Sequence, residues 1–269
     1  MSREREGAGP DFVEALARGL EVIECFRQAR PRMTLSEVAT ASGLARPTAR
    51  RILLTLETLG YVRTEDGGFR LTPRVLDLGL SYIASQELWE AARPHMQQVV
   101  ETTNESCSIA QLDGSDIVYV ARVSVPKIVT LAVSLGTRFP ALATSLGMVQ
   151  LAALAPEELH QALSTPSRAS VTARWQPEEG ELAQRLREVR AQGWAIADEY
   201  LALGIRSVAA PIRDGDGRVV AAVNVNTHAA ETSLDILRER HLPVVLRAAS
   251  LISGDLARFG ALPAIELPR

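Results

Sequence analysis

The stretch Leu44–Val62, LARPTARRILLTLETLGYV, places Arg46, Arg50 and Arg51 within six residues and follows them with apolar residues at helical spacing. At about 100° per residue, with Ala49 as origin, Ile52, Leu53, Leu56 and Leu59 fall on one side of a helix. Pro47, Arg50, Arg51 and Leu54 fall on the other. Pro47 suits a first helical turn, where its missing N–H would have no intrahelical acceptor, and Gly60 supplies the exit. On an isolated helix such an arginine face is usually only a solvated surface, so the neighbouring segments have to decide its meaning.

Upstream, Phe12–Ala29 carries Phe12, Leu16, Leu20, Ile23 and Phe26 near helical period, and Pro31 stops it. Thr34-Leu-Ser-Glu37 has the spacing of a capping box and opens a short helix. That helix ends at Ser42-Gly43, where glycine can take the left-handed conformation of a helix exit. Downstream, Tyr61–Arg63 and Phe69–Leu71 flank Asp66-Gly67-Gly68, a hairpin signature. Three short helices and a two-stranded wing predict a winged helix-turn-helix, whose second helix of the pair enters the major groove.

Charge supports an aimed arginine face. Net charge is only −3 over 269 residues. Between Arg30 and Arg74, however, eight arginines face four acids, a local balance of +4 in an otherwise acidic chain. A basic island is the electrostatic footprint of nucleic-acid binding. Thr48, Arg50 and Arg51 are placed for base edges, since guanidinium groups read guanine bidentately, with Arg46 beside them. Pro47 and Leu54 are placed for thymine methyls or the sugar backbone. Arg63 and Arg70 on the wing, with Ser36 on the preceding helix, are expected to touch phosphates and set register.

Several chemistries find no support. The histidines 95, 160, 228 and 241 show no metal-ligand spacing with each other or with Cys25 and Cys107. Asp214-x-Asp216 lacks the remaining oxygen ligands of a calcium loop and reads as a turn. Ser145 is outside any G-x-S-x-G elbow, and no P-loop or G-x-G-x-x-G occurs. No catalytic residue, metal or cofactor is therefore expected. No apolar run approaches the ~18 residues of a membrane span, and two isolated cysteines with no signal peptide read as reduced thiols of a cytoplasmic protein.

Residues 73–105 are expected to be helical, with an apolar surface wider than one stripe. Strand-like runs follow at Cys107–Leu112, Ile117–Val123 and Ile128–Leu135, then helical segments at Thr144–Leu154, Pro156–Leu163 and Pro177–Gln192. Strands return at Trp194–Ala197, Ser207–Ile212 and Arg218–Asn226, and a closing helix spans Ser233–Leu256. The order predicts a sheet covered by helices, an α+β sensor-like domain. Within it, Gly136-Thr-Arg-Phe-Pro-Ala-Leu-Ala-Thr-Ser-Leu-Gly147 leads into a helix start, where free N–H groups and the hydroxyls of Thr144 and Ser145 suit a carboxylate. Asn224 and Asn226 alternate with Val223 and Val225, so both amides share one face of a strand. Such a face meets either solvent or a ligand.

From about Val13 to Leu256 the chain resembles the IclR family of bacterial transcriptional regulators. The segments that carry the resemblance are the helix-turn-helix, Ser134–Pro140 through Ala143–Gly147, Gly193–Glu199, Gly204–Asp214 and Val219–Asn226. Asp116-Ile-Val-Tyr-Val-Ala-Arg122 and Asn226-Thr-His-Ala-Ala230 look most like the branch controlling aromatic-acid catabolism through protocatechuate or 4-hydroxybenzoate. The Gly- and charge-rich start reads as a disordered arm (1–11), and the resemblance implies a winged-helix domain (12–73), a dimerising linker helix (74–92) and a GAF-like effector domain (93–258), which leaves a tail (259–269). It implies homodimers, assembling also into tetramers, on palindromic double-stranded operators. The family's effector pocket maps onto Phe139, Ser145, Leu146, Ala197, Ile205, Ser207, Asn224 and Asn226, with Ala143, Thr144 and Met148 alongside. At Ala197 many relatives carry an acid, and at Ser207 some carry a cysteine. Met148 stands where the aromatic-acid branch usually has arginine, and Ser124-Val-Pro126 where it tends to be more basic. The function so implied is a ligand-responsive regulator of a catabolic operon sensing a small aromatic carboxylic acid. The alternatives are a regulator sensing a non-aromatic or uncharged metabolite, or an enzyme with an appended helix-turn-helix.

Overall fold

A computed structural model describes residues 9–26, 30–78, 88–126 and 133–260. Most of the expected arm, the middle of the linker helix, the first part of the expected strand Ile128–Leu135 and nearly all of the tail lie outside the described residues. The chain divides into two units, Met1–Ser85 and Gln86–Arg269.

The first unit holds α1 (Glu14–Glu24), β1 (Arg32–Met33), α2 (Leu35–Ser42), α3 (Arg46–Thr58), β2 (Val62–Glu65) and β3 (Gly68–Leu71). At the start of α2 the Thr34 hydroxyl accepts from the Glu37 N–H at 3.3 Å, and the Thr34 N–H donates to Glu37 Oε2 at 2.7 Å. This closes the capping box. Gly43 leaves the helix at φ 65°, and α3 starts one residue before Pro47. Val22, Met33, Val38, Leu53, Leu56 and Val62 form the core. Asp66 and Gly67 both have positive φ, 49° and 74°, the conformation of a two-residue turn that matches strand twist.

Two expectations need correction here. The wing sheet has three strands, in the order β1-β3-β2, because Arg32 and Met33 pair with Arg70 and Phe69. Leu59 is not on the buried side: it is the C-terminal cap of α3 and is 49% exposed. Of the apolar residues at helical period in this first segment, Phe12, Leu16 and Leu20 are exposed, while Ile23 and Phe26 pack with Val22 on the core.

The second unit is built on a six-stranded antiparallel sheet. Its strands are β4 (Ser106–Asp113), β5 (Asp116–Val123), β6 (Arg138–Pro140), β7 (Ala195–Asp198), β8 (Ile205–Arg213) and β9 (Val219–His228), in the order β6-β5-β4-β9-β8-β7. One face carries Cys107, Ile109, Val208, Val223 and Val225, and packs against Met96 and Val99 of α4 (Leu88–Thr103) and Val245 and Ile252 of α8 (Leu242–Gly260). The other face presents Ala110, Ala209 and Ala222 to α5 (Ser145–Leu151). There α7 (Glu179–Gln192) adds Leu186 and Val189, and α6 (Pro156–Ser164) lies between α5 and α7 in sequence. The expected single closing helix is interrupted by a π turn at Leu237–His241 ahead of α8. Pro243 has no N–H to give the carbonyl four residues back, so the ladder shifts there.

The close seating of α5 depends on Gly147. A Cβ at this position would land on the carbonyl oxygen and Cα of Ala141, in the turn Ala141–Ala143 that precedes the helix. Gly147→Ala is therefore expected to cost about 3 kcal/mol or more in urea unfolding, as a clash with backbone cannot be relieved by a rotamer change. Gly180→Ala, in the first turn of α7 with nothing within 4 Å of the added Cβ, should be neutral or stabilising by up to about 1 kcal/mol. Equal effects would contradict the packing described.

Candidate functional site

Two surfaces concentrate the chemistry, one in each unit. In the first, Arg46, Pro47, Arg50, Arg51 and Leu54 of α3 are exposed and share one side of the helix, while Thr48 is half-buried. Among the described residues, Arg46, Arg50 and Arg51 form no ion pair, so their full charge is available to a polyanion. Ala45, the N-terminal cap, has no side-chain acceptor, which leaves the first N–H groups of α3 free for phosphate. The wing arginines differ. Arg63 and Arg70 are cross-strand neighbours and both reach Glu65, at 3.3 and 3.5 Å, so their charge is partly neutralised. Ser36 is exposed on α2.

In the second unit, strand register assembles a polar patch on the α5 face of the sheet. One row across the strands runs Arg122, Ser108, Asn224, Ala209 and Ala195, and the next runs Ser106, Asn226, Ser207 and Ala197. The patch adjoins the N-terminal turn of α5. Thr144 caps that helix by accepting from the Gly147 N–H at 3.0 Å, and Ser145 Oγ donates to Ser207 Oγ at 2.7 Å. Asn224 and Asn226 pair their amides at 3.1 and 3.4 Å.

A small cavity of about 10 Å³ lies over this patch. Of the residues expected at an effector site, Ala143, Thr144, Ala197, Ile205, Ser207, Asn224 and Asn226 line it. Phe139, Ser145, Leu146 and Met148 do not. Ser145 holds Ser207 from behind, Phe139 sits edge-on to Tyr119 with ring centroids 5.7 Å apart, and Leu146 and Met148 are wholly buried in the core under α5. Met148 is thus apart from the cavity, while Arg122 lies on the same sheet face as the polar patch.

The sequence reading also missed Tyr119, Tyr200 and Leu201 in the lining. Tyr200 and Leu201 belong to the loop between β7 and β8, where Glu199 has φ 58° and its carboxylate accepts from the Gly204 N–H at 2.6 Å. Trp175 stacks on Tyr200 with centroids 4.3 Å apart. Tyr119 reaches the patch because of a bulge: Ala110 pairs with Tyr119 although Ile109 pairs with Ala121, which leaves Val120 unmatched. Strict alternation would put Tyr119 and Arg122 on opposite faces; the bulge puts both on this one.

The two units also match known sequences. The IclR helix-turn-helix domain matches residues 15–66, and the bacterial transcriptional regulator IclR C-terminal domain matches residues 80–254. The chain belongs to the IclR family. It is 36% identical over 241 residues to the Pca regulon regulatory protein of Pseudomonas putida, covering 89% of this chain and 83% of that protein. To the p-hydroxybenzoate hydroxylase transcriptional activator of Acinetobacter baylyi it is 32% identical over 245 residues, covering 89% and 90%. Among solved structures, a Rhodococcus transcriptional regulator is similar with a TM-score of 0.79 at 47% identity, covering 92% of this chain and all of the other (100%). An IclR homolog of Microbacterium hydrocarbonoxydans complexed with 4-hydroxybenzoate is similar with a TM-score of 0.78 at 27% identity, covering 91% and 99%. This IclR-family chain is accordingly a transcriptional regulator with a DNA-binding helix-turn-helix and an effector-binding domain. Its relatives are regulators rather than enzymes, and their names fit the aromatic-acid branch. Among the described residues no group of His, Cys, Asp and Glu has metal-site geometry, and no helix is long and apolar enough to cross a membrane.

Burial pushes the Tyr119 phenol up to about 12, against the opposing pull of the Arg122 charge and a hydrogen bond with Asn226. The native state therefore keeps this proton after the unfolded chain, with its ordinary value of 10.0, has lost it. The stability so contributed is complete below pH 10 and is lost as pH rises through about 12. Urea unfolding at a series of alkaline pH values should show wild type losing stability relative to Tyr119→Phe across that window. Parallel curves would place the phenol in contact with water.

Proposed function

We propose that this IclR-family regulator is a homodimer that binds palindromic double-stranded DNA through α3 and controls a catabolic operon in response to a small aromatic carboxylic acid. The cytoplasm is the compartment where such a regulator meets its operator. The working division is a winged-helix domain at 12–73, a linker at 74–92 and an effector domain at 93–258. The observation that carries the DNA half is the unpaired arginine side of α3. Arg50, Arg51 and Thr48 read bases, with Arg46 and Pro47 beside them, while Ser36, Arg63 and Arg70 hold phosphates.

The exposed row Phe12, Leu16 and Leu20, with Leu76 and Leu78 in the same unit, supports a dimer, because so much apolar surface is rarely left to water. Dyad symmetry then sets half-sites about one helical turn apart or a multiple of it.

The effector half rests on the cavity between the sheet and the start of α5. Amides and hydroxyls converge there beside the aromatic rings of Tyr119 and Tyr200, an arrangement suited to a ring bearing polar substituents. The likeness to Pca and p-hydroxybenzoate regulators, and to a homolog complexed with 4-hydroxybenzoate, supports the same ligand class. A cavity of about 10 Å³ has room for about one water. Entry of a ring therefore requires the loop carrying Tyr200 and Leu201 to move outward. Such movement is how a ligand favours one conformation over another.

In a mobility-shift titration on the operator, Arg50→Ala and Arg51→Ala should each weaken binding by about 1–3 kcal/mol. Arg63→Ala should weaken it less and lower the salt slope by about 1. Undiminished binding by both α3 variants would remove this helix from the groove. In a thermal-shift screen, 4-hydroxybenzoate or protocatechuate at about 100 times its Kd should raise the Tm by about 5–10 °C. A shift with short aliphatic acids or uncharged metabolites alone would replace the aromatic reading with the alternative one.

A further inference from the structure

Among the half-buried arginines of the second unit, Arg122 has the fewest partners. Arg206 pairs with Asp198 at 2.5 Å, and Arg185 pairs with Glu188 at 3.1 Å. Arg138 pairs with Asp113 and Asp116. Arg122 makes one described hydrogen bond, from Nη1 to Ser108 Oγ at 3.2 Å, and no carboxylate lies within ion-pair distance among the described residues. A guanidinium has five N–H donors, so most of its capacity is unspent. Partial burial holds the Arg122 pKa below its ordinary value, an effect opposed by Tyr119 and Cys107. The group therefore has more to gain from an anion than an exposed arginine would.

Its place in the sheet shows where that anion would sit. The bulge at Val120 keeps Arg122 on the α5 face together with Tyr119. Ser108, which receives its hydrogen bond, lies directly across from Asn224 on the neighbouring strand. One strand spacing is about 5 Å, so the guanidinium head lies within one step of an amide that lines the cavity. Tyr119 lines the same cavity, pairs with Asn226 and is close enough to Arg122 for their charges to interact.

We propose that Arg122 is the carboxylate anchor of the effector site, pairing with the acid group of a ligand whose ring lies against Tyr119 and the Asn224–Asn226 pair. This deepens the aromatic-acid reading above and rests on it. Arg122 thereby selects acids over uncharged ring compounds, supplying from β5 the cation that Met148 does not supply from α5. Arginine suits the task because its fork matches a carboxylate in two parallel hydrogen bonds.

The test is calorimetric titration of the full-length protein with sodium 4-hydroxybenzoate and, separately, with the uncharged 4-hydroxybenzamide. Wild type, Arg122→Met and Arg122→Lys are compared. Arg122→Met should weaken the acid by about 10- to 150-fold, the range carried by hydrogen bonds to a charged group, and the amide by less than about 3-fold. Arg122→Lys should recover part of the loss for the acid. Retained amide binding shows that the variant's pocket is intact. Unchanged acid affinity in Arg122→Met, or equal losses for acid and amide, would overturn the anchor while leaving the aromatic-acid reading in place. Failure of wild type to bind either compound would overturn that reading and the anchor with it.

Discussion

The effector domain depends on how closely α5 can lie against its sheet. Ala110, Ala209 and Ala222 make a floor of small side chains, and Gly147 lets the first turn of the helix press on the Ala141–Ala143 turn. Close packing there is worth several kcal/mol of contact and burial. It also fixes the position of the helix start. Once α5 is seated, Ser145 meets Ser207, Thr144 caps the helix, and Gln150 donates to the Ala110 carbonyl at 3.2 Å while accepting from the Leu112 N–H at 2.9 Å. The polar groups beneath the helix are thereby paired, and the cavity is left where packing gives way to the amides of β9.

That geometry makes the site adjustable. The loop that closes the cavity is held by a stacked tryptophan, a carboxylate at its base and backbone in the left-handed region at Glu199 and Gly204. A ligand that displaces it changes the Trp175 stack and the cavity wall that the loop shares with Ala143 and Thr144. Converting a regulator from mostly one state to mostly the other takes roughly 5.5 kcal/mol of differential binding. A desolvated ion pair and ring burial together reach that order of magnitude.

The legible parts of the fold were those set by near neighbours in sequence. The capping box at Thr34, the glycine exits and the Asp66-Gly67 turn are local chemistry, and each appears where its residues indicated. The alternation around Asn224 and Asn226 likewise gave their shared face. What escaped depended on distant partners. β1 is two residues long and exists only because β3 passes beside it. Phe12, Leu16 and Leu20 share the period of Ile23 and Phe26 yet are exposed, so period alone does not separate a buried position from an open one. Tyr119 and Arg122 were hidden by the bulge, since an odd spacing read with strict alternation separates them. The loop residues Tyr200 and Leu201 carry no periodic signal at all.

The central claim is that the effector sits between the polar face of the sheet and the start of α5. It is tested most directly by a crystal structure of the protein grown with 4-hydroxybenzoate. The account predicts ligand density against Tyr119, Asn224 and Asn226, with the loop at Tyr200 displaced outward. Density instead in the groove between α4 and α8, which is lined by His95, Gln98, Val244 and Arg247, would contradict it.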